Sequence, residues 1–94
     1  MFTHIVVYSL ADRLDAPEVV RRLQEMTALA PLVTTMSVGI DESLTPASYD
    51  IGLVTTHPDV DHYEEYRNHP AHQELLGWLL PPLVDRKVVD FSAR

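Results

Sequence analysis

Hydrophobic and polar positions along the chain follow two alternating periods, which predict strands and helices in turn. A period of two marks a strand over residues 3–10, with His4, Val6, Tyr8 and Leu10 on one face. Helical spacing follows, ended by Pro31, in a stripe of Ala16, Val19, Val20, Leu23, Met26 and Ala30. Residues 33–40 and 49–56 then predict two further strands, with a bulge or bend at Gly39.

The second half of the chain predicts two helical segments and a last strand. His57-Pro58-Asp59 starts the first segment, with Asp59 near its positive end, and helical spacing then places Val60, Tyr63 and Arg67 on one face. Pro70 suits the first turn of the second segment, so His69 is predicted to cap a helix over residues 70–80. A strand over 86–91 completes a strand-helix-strand-strand-helix-strand order. That order is typical of the ferredoxin-like α+β fold, with a four-stranded antiparallel sheet.

Candidate chemistry is concentrated between Tyr66 and His72. His72 precedes Leu75, Leu76 and Leu79 by three, four and seven residues, so it lies on the apolar face of its helix and points inward. Such a histidine beside a tyrosine can act as an acid–base pair, or it can be a core histidine that forms local hydrogen bonds. His69 and His72 also have a spacing compatible with metal, but the cap explains His69 and no carboxylate falls at a ligand spacing. We therefore predict neither a metal nor a cofactor.

The first strand carries no charged residue on either face. A chain of 94 residues, read as a single domain over 1–94, can cover only one face of its sheet with its own helices. The second face needs a partner, and the sequence therefore predicts a homodimer.

Charge and composition exclude several classes of partner. A formal charge of −7 speaks against nucleic acid and against anionic membranes. No apolar run approaches the roughly 20 residues that span a bilayer. The chain has no cysteine, and it does not begin with the pattern of a secretory signal. We expect a cytoplasmic protein.

The motifs carry a family resemblance. The chain resembles the stress-responsive dimeric α/β-barrel proteins, or Dabb domains, over nearly its whole length. The resemblance rests on Thr3-His4-Ile5-Val6, Tyr49-Asp50-Ile51-Gly52-Leu53-Val54, Tyr66-x-x-His69-Pro70-Ala71-His72 and Val88-Val89-Asp90-Phe91. It implies a homodimer whose two sheets pack face to face as a barrel, and a pocket between sheet and helices in each subunit.

The resemblance also implies site residues. A described relative, the plant olivetolic acid cyclase, closes a linear polyketide without a cofactor, and its catalytic tyrosine and histidine match Tyr66 and His72. A third pocket histidine matches His4, whereas a fourth falls at Ile51, where this sequence departs from that relative. We expect His72 and Tyr66 to be catalytic and His4 and His69 to bind substrate. The ligand implied is a small aromatic or polyketide-like molecule.

Three functions remain open at this point. The first is a cofactor-free cyclase or lyase, and the second is a non-enzymatic stress-response or ligand-binding dimer. The third is a cofactor-independent monooxygenase of the antibiotic-biosynthesis type, which shares the fold and uses an Asn, Trp and His set. Trp78 is present, but no histidine follows it, and His4 stands where that set has Asn. A cavity lined by His4, Tyr66 and His72 would favour chemistry, and a filled one would favour the second function.

Overall fold

Four antiparallel strands and three α-helices make up the chain in the computed structural model, which describes residues 1–93. The strands are β1 (Phe2–Leu10), β2 (Thr35–Ile40), β3 (Ile51–His57) and β4 (Leu83–Ser92). The helices are α1 (Ala16–Gln24), α2 (Val60–Asn68) and α3 (Pro70–Leu79), and a 3₁₀ segment, Glu25–Leu29, continues α1. The sheet order is β2-β3-β1-β4 with every neighbour antiparallel. The predicted ferredoxin-like α+β fold is confirmed.

The strand ends lie within three residues of the predicted ones. β4 begins at Leu83 rather than at position 86, because Leu83 pairs with Leu10 beyond a register shift between Ser9 and Leu10. The predicted bulge or bend at Gly39 is wrong as far as the bulge is concerned, because Gly39 pairs with Gly52 in unbroken register. The irregularity lies instead where β4 joins the end of β1.

The helices cover one face of the sheet and form the core with it. From the sheet, Val6, Tyr8, Ile51 and Leu53 are 3% exposed or less. From the helices the core receives a second set of apolar side chains: Ala16, Val19, Leu23, Leu75 and Leu79. The predicted inward face of β1 is therefore confirmed. No described helix has the length and apolar character needed to cross a bilayer.

The other face of the sheet is left open and is mostly uncharged at its centre. Ile5 and Val7 of β1 lie on it, next to Val54 of β3 and Val89 of β4, which pair in register with Ile5. Val54 remains 37% exposed and Val89 58% exposed. We call this surface the outer face of the sheet.

The helix-facing side of β4 is also largely uncovered. α1 packs against β2 and α2 packs against β3, whereas no described helix packs extensively against β4. Val88 pairs with the buried Val6 and therefore lies on the helix side, yet it is 42% exposed. Arg86 and Asp90 lie on the same side of β4, two residues before and after Val88. We call this open strip beside the core the β4 trough.

Candidate functional site

Six aromatic and imidazole rings form a continuous cluster between the sheet and the second half of the chain. The rings belong to Phe2, His4, His57, Tyr63, Tyr66 and His72. Adjacent ring centroids lie between 4.6 and 6.4 Å apart. The structure thus brings together three of the four predicted site residues, His4, Tyr66 and His72, through Tyr63 and His57.

α2 contributes two of these rings. Tyr63 and Tyr66, three residues apart, are 6% and 2% exposed, whereas Val60 is 48% exposed. Arg67 forms an ion pair with Glu64 at the surface. The face that Val60, Tyr63 and Arg67 share is therefore not the buried face of α2. Tyr63 and Tyr66 face the core instead, because burial of two large tyrosine rings outweighs burial of one valine. Asp59 lies at the start of the helix as expected, and the structure shows that it caps α2, accepting a hydrogen bond from the backbone N–H of His62 at 2.9 Å.

His72 presents a free nitrogen lone pair beside Tyr66. Its Nδ1 lies 3.1 Å from the carbonyl oxygen of Arg67, which can only accept, so Nδ1 carries the hydrogen. Burial lowers the pKa of His72 to about 4, so the ring is neutral at pH 7. In that tautomer the Nε2 atom is an unprotonated acceptor. The Tyr66 ring packs against the His72 ring, with the two ring centroids 4.6 Å apart.

Tyr66 supplies a hydroxyl that stays protonated. Burial raises the pKa of Tyr66 far above the ordinary value of 10.0. Among residues 1–93 no side chain is hydrogen-bonded to this hydroxyl, yet no fully buried polar side-chain atom lacks a partner. The hydroxyl therefore reaches solvent-accessible space and can donate to an oxygen of a bound molecule.

His4 is tied to β4 and to α2. Its Nδ1 forms a short hydrogen bond with Oδ1 of Asp90, and the Tyr63 hydroxyl lies 3.3 Å from the same nitrogen. The side chains of His4 and Asp90 are 12% and 33% exposed. His4 thus contacts the edge of the cluster facing the β4 trough, and the carbonyl of Arg67, rather than His4, orients His72.

His69 lies at the start of α3, apart from the ring cluster. Its Nδ1 accepts a hydrogen bond from the backbone N–H of Ala71 at 3.1 Å, and Pro70 is the first helical residue. The predicted cap is confirmed. The role of His69 in substrate binding stays a prediction.

His57 is a member of the cluster that the sequence did not reveal. Its Nδ1 donates to the carbonyl of Leu32 at 2.7 Å, and its Nε2 accepts from the Thr55 hydroxyl at 2.9 Å. Burial lowers its pKa below the ordinary 6.5, which favours the neutral ring that this pairing requires. The residue seemed to begin a helix because Pro58 and Asp59 follow it. The period of two along β3 continues through it and was the signal to use.

Five hollows in the described part of the chain are lined by other residues. A groove of about 500 Å³ lies between the start of α1 and the end of α3, and Trp78 forms part of its wall. The Trp78 ring lies under the guanidinium of Arg22 at 4.5 Å, outside the ring cluster. An Asn, Trp and His set of the monooxygenase type is therefore not assembled around His4. Within residues 1–93 no three His, Asp or Glu side chains converge as metal ligands would.

The chain matches a known protein family. The sequence model of the Stress responsive A/B Barrel Domain family, Dabb, matches residues 2–93. No curated protein matches the chain.

Solved structures share the fold. A dimeric ferredoxin-like protein of unknown function from Thermobifida fusca is 26% identical, with 98% of this chain and 90% of that chain covered and a TM-score of 0.84. The Arabidopsis thaliana protein At3g17210 is 21% identical, with 100% and 96% covered and a TM-score of 0.85. The hydroxynitrile lyase of Passiflora edulis is 16% identical, with 99% and 93% covered and a TM-score of 0.83.

Proposed function

The chain belongs to the Dabb family of stress-responsive A/B barrel domains, and we propose that it is a homodimer with a cofactor-free acid–base site at His72 and Tyr66. In this proposal the site acts on a small carbonyl compound in a cyclase- or lyase-like reaction. The observation that carries it is the pairing of a neutral imidazole, whose Nε2 is free, with a tyrosine hydroxyl that has no partner among residues 1–93.

The two groups have complementary roles. Nε2 of His72 accepts a proton from the carbon next to a carbonyl group. As the enolate forms, the protonated hydroxyl of Tyr66 donates a hydrogen bond to its oxygen. The buried rings of Tyr63 and His57 hold the Tyr66 ring in place, so the donor needs little reorganisation during the reaction.

The low pKa of His72 limits the class of substrate from which it can take a proton. A base whose conjugate acid has a pKa of about 4 is weak, so it suits a carbon acid that is already activated. A carbon between two carbonyl groups, as in a polyketide-like chain, meets that requirement. The β4 trough beside the cluster offers the space for such a chain.

The homodimer is supported by the outer face of the sheet and by relatives. The outer face exposes Val54, Val89 and Phe91 by 37%, 58% and 41%, which is more apolar surface than a small domain leaves to water without reason. The Thermobifida fusca protein of the same fold is described as dimeric. Two outer faces packed together would cover these side chains.

A second candidate function is a non-enzymatic, ligand-binding dimer. It is favoured by the position of these five hollows, none of which is lined by His4, Tyr66 or His72. In this case the ring cluster is part of the core and His72 only packs on Tyr66.

Hydrogen exchange at carbon distinguishes the two functions without knowledge of the natural product. The protein is incubated in D₂O with ethyl 2-methylacetoacetate, which has one proton between two carbonyls, and loss of that proton is followed by ¹H NMR. We expect the wild type to accelerate exchange over buffer. His72→Ala should abolish the acceleration, and Tyr66→Phe should reduce it about 100-fold.

His62→Ala is the matched control, because His62 lies at the surface of α2 and pairs with Asp59. It should keep the wild-type exchange rate. Circular dichroism and light scattering must show that all variants keep the wild-type fold and mass. A wild type that exchanges no faster than buffer, or an unaffected His72→Ala, would support the non-enzymatic dimer instead.

A further inference from the structure

Arg86 is the one arginine or lysine without a carboxylate partner in the described part of the chain. Within residues 1–93 every other arginine or lysine lies within 4.0 Å of a carboxylate oxygen. The pairs are Arg13–Asp50, Arg21–Glu18, Arg22–Glu18, Arg67–Glu64 and Lys87–Asp85. In a chain with a formal charge of −7, a guanidinium without a carboxylate partner is an exception that needs an explanation.

The position of Arg86 connects it to the ring cluster. Arg86 pairs in register with Tyr8, whose side chain points into the core, so Arg86 lies on the helix side of the sheet. There it belongs to the β4 trough, four residues before Asp90. Burial is the main cause of the lowered pKa of His72, and the charge of Arg86 lowers it further.

A hollow lies beside Arg86, with a wall that is partly polar and partly apolar. Its volume is about 300 Å³, and it is lined by Leu80, Leu83, Val84, Asp85 and Arg86. The Asp85 carboxylate is engaged elsewhere, because it accepts a hydrogen bond from the Tyr49 hydroxyl at 2.7 Å and lies near Lys87. The leucines and the valine therefore provide a wall for an apolar group next to a positive charge.

We propose that Arg86 binds the carboxylate of the molecule that occupies the β4 trough. This inference rests on the proposed function and deepens it: the substrate is a carbonyl compound that also carries a carboxylate and an apolar body. The planar guanidinium offers two parallel N–H donors to a carboxylate, and the negative charge elsewhere on the chain leaves Arg86 as the local point of attraction.

The arrangement assigns each part of the ligand to a part of the site. The carboxylate lies at Arg86, and the apolar body lies against Leu80, Leu83 and Val84. The carbonyl then extends toward Tyr66 and His72. Arg86 is a binding residue in this scheme, and the proton transfer stays with His72.

The test compares benzoate with benzamide, which have the same shape and differ in charge. Each is titrated into the ¹⁵N-labelled full chain at pH 7 and low salt, and the dissociation constant is taken from amide shifts. We expect benzoate to bind at least tenfold more tightly than benzamide, with the shifts near Tyr8 and Val88. Added NaCl should weaken benzoate binding, because it screens an exposed charge.

Arg86→Met should remove the preference for benzoate, and Arg86→Lys should retain part of it. Arg21→Met, at a surface arginine paired with Glu18, should leave the preference unchanged. Equal binding of the two probes by the wild type would overturn the proposal, as would a preference that survives in Arg86→Met.

His72→Ala separates this proposal from the function it rests on. It should keep the preference for benzoate, because the anion contacts Arg86 and not the imidazole. An anion preference in a protein without exchange activity would leave Arg86 as a ligand-binding residue and would refute the acid–base site.

Discussion

His57 is the residue on which the stability of the ring cluster depends most. It is 0% exposed, and both of its nitrogens are hydrogen-bonded, one to the carbonyl of Leu32 and one to the hydroxyl of Thr55. The ring therefore joins the end of β3 to the segment that enters β2. A replacement must fill its volume and satisfy both partners, and no other side chain does both.

We predict that His57→Phe destabilises the protein although it keeps an aromatic ring. The substitution leaves the Leu32 carbonyl and the Thr55 hydroxyl without their partner, at a cost of about 2–4 kcal/mol. Urea unfolding followed by circular dichroism measures the change. The same substitution at His62, which lies at the surface of α2, should cost less than about 1 kcal/mol. Equal losses at the two sites would contradict the assigned role.

Within single elements, local sequence signals were sufficient to locate the helix caps and the strands. Asp59 caps α2 and His69 caps α3 as the residue types and Pro70 predicted, because a cap depends only on residues within one turn. The strands were also found, since β-branched residues at a period of two are a local pattern. The pattern did not reveal which face of α2 is buried. Its hydrophobic stripe is weak, so Tyr63 and Tyr66 seemed to lie on different faces of the helix.

The parts of the site that the sequence did not reveal depend on contacts between elements that are far apart in the sequence. His4 and Asp90 are 86 positions apart and meet only because β1 and β4 pair in one particular register. A slip of one residue would place Asp90 on the opposite face, and the register is not written in either strand alone. Arg86 was missed for the same reason. His72 and Tyr66, by contrast, lie within one turn of the α2–α3 junction, and their proximity was predicted.

The whole molecule is expected to consist of two copies of the chain. The helices of one chain cover one face of the sheet, and the uncharged centre of the outer face stays exposed. Val54 lies there, opposite Ile5 of β1 and Ser37 of β2. Neither neighbour is charged, so a carboxylate placed at Val54 would be buried without a partner on association.

We predict a particle of about twice the 10.6 kDa chain mass by light scattering at micromolar concentration. Val54→Asp should dissociate it, since an unpaired carboxylate buried at an interface costs about 3–5 kcal/mol. Leu14→Asp places the same charge at a side chain that is 85% exposed in the short 3₁₀ segment Arg13–Asp15, and it should leave the mass unchanged. A wild-type monomer would refute the dimer, and so would a Val54→Asp dimer of wild-type affinity.

The state of His72 also affects the molecule as a whole. Its pKa is about 4 in the folded protein and near the ordinary 6.5 in the unfolded chain, so the unfolded chain binds the proton first. The free energy of unfolding should therefore fall as the pH drops from about 6.5 toward 4. Above pH 7 this group contributes no pH dependence.

Whether His72 can act as the base of this site depends on its protonation state, which ¹⁵N NMR of its imidazole measures across a pH titration. We expect the neutral tautomer at pH 7, with hydrogen on Nδ1 and a free lone pair on Nε2, and a midpoint near pH 4. Assignment comes from the signal that disappears in His72→Ala. A midpoint at 6.5 or above, or a hydrogen on Nε2 at pH 7, would contradict the claim that His72 is the base of this site.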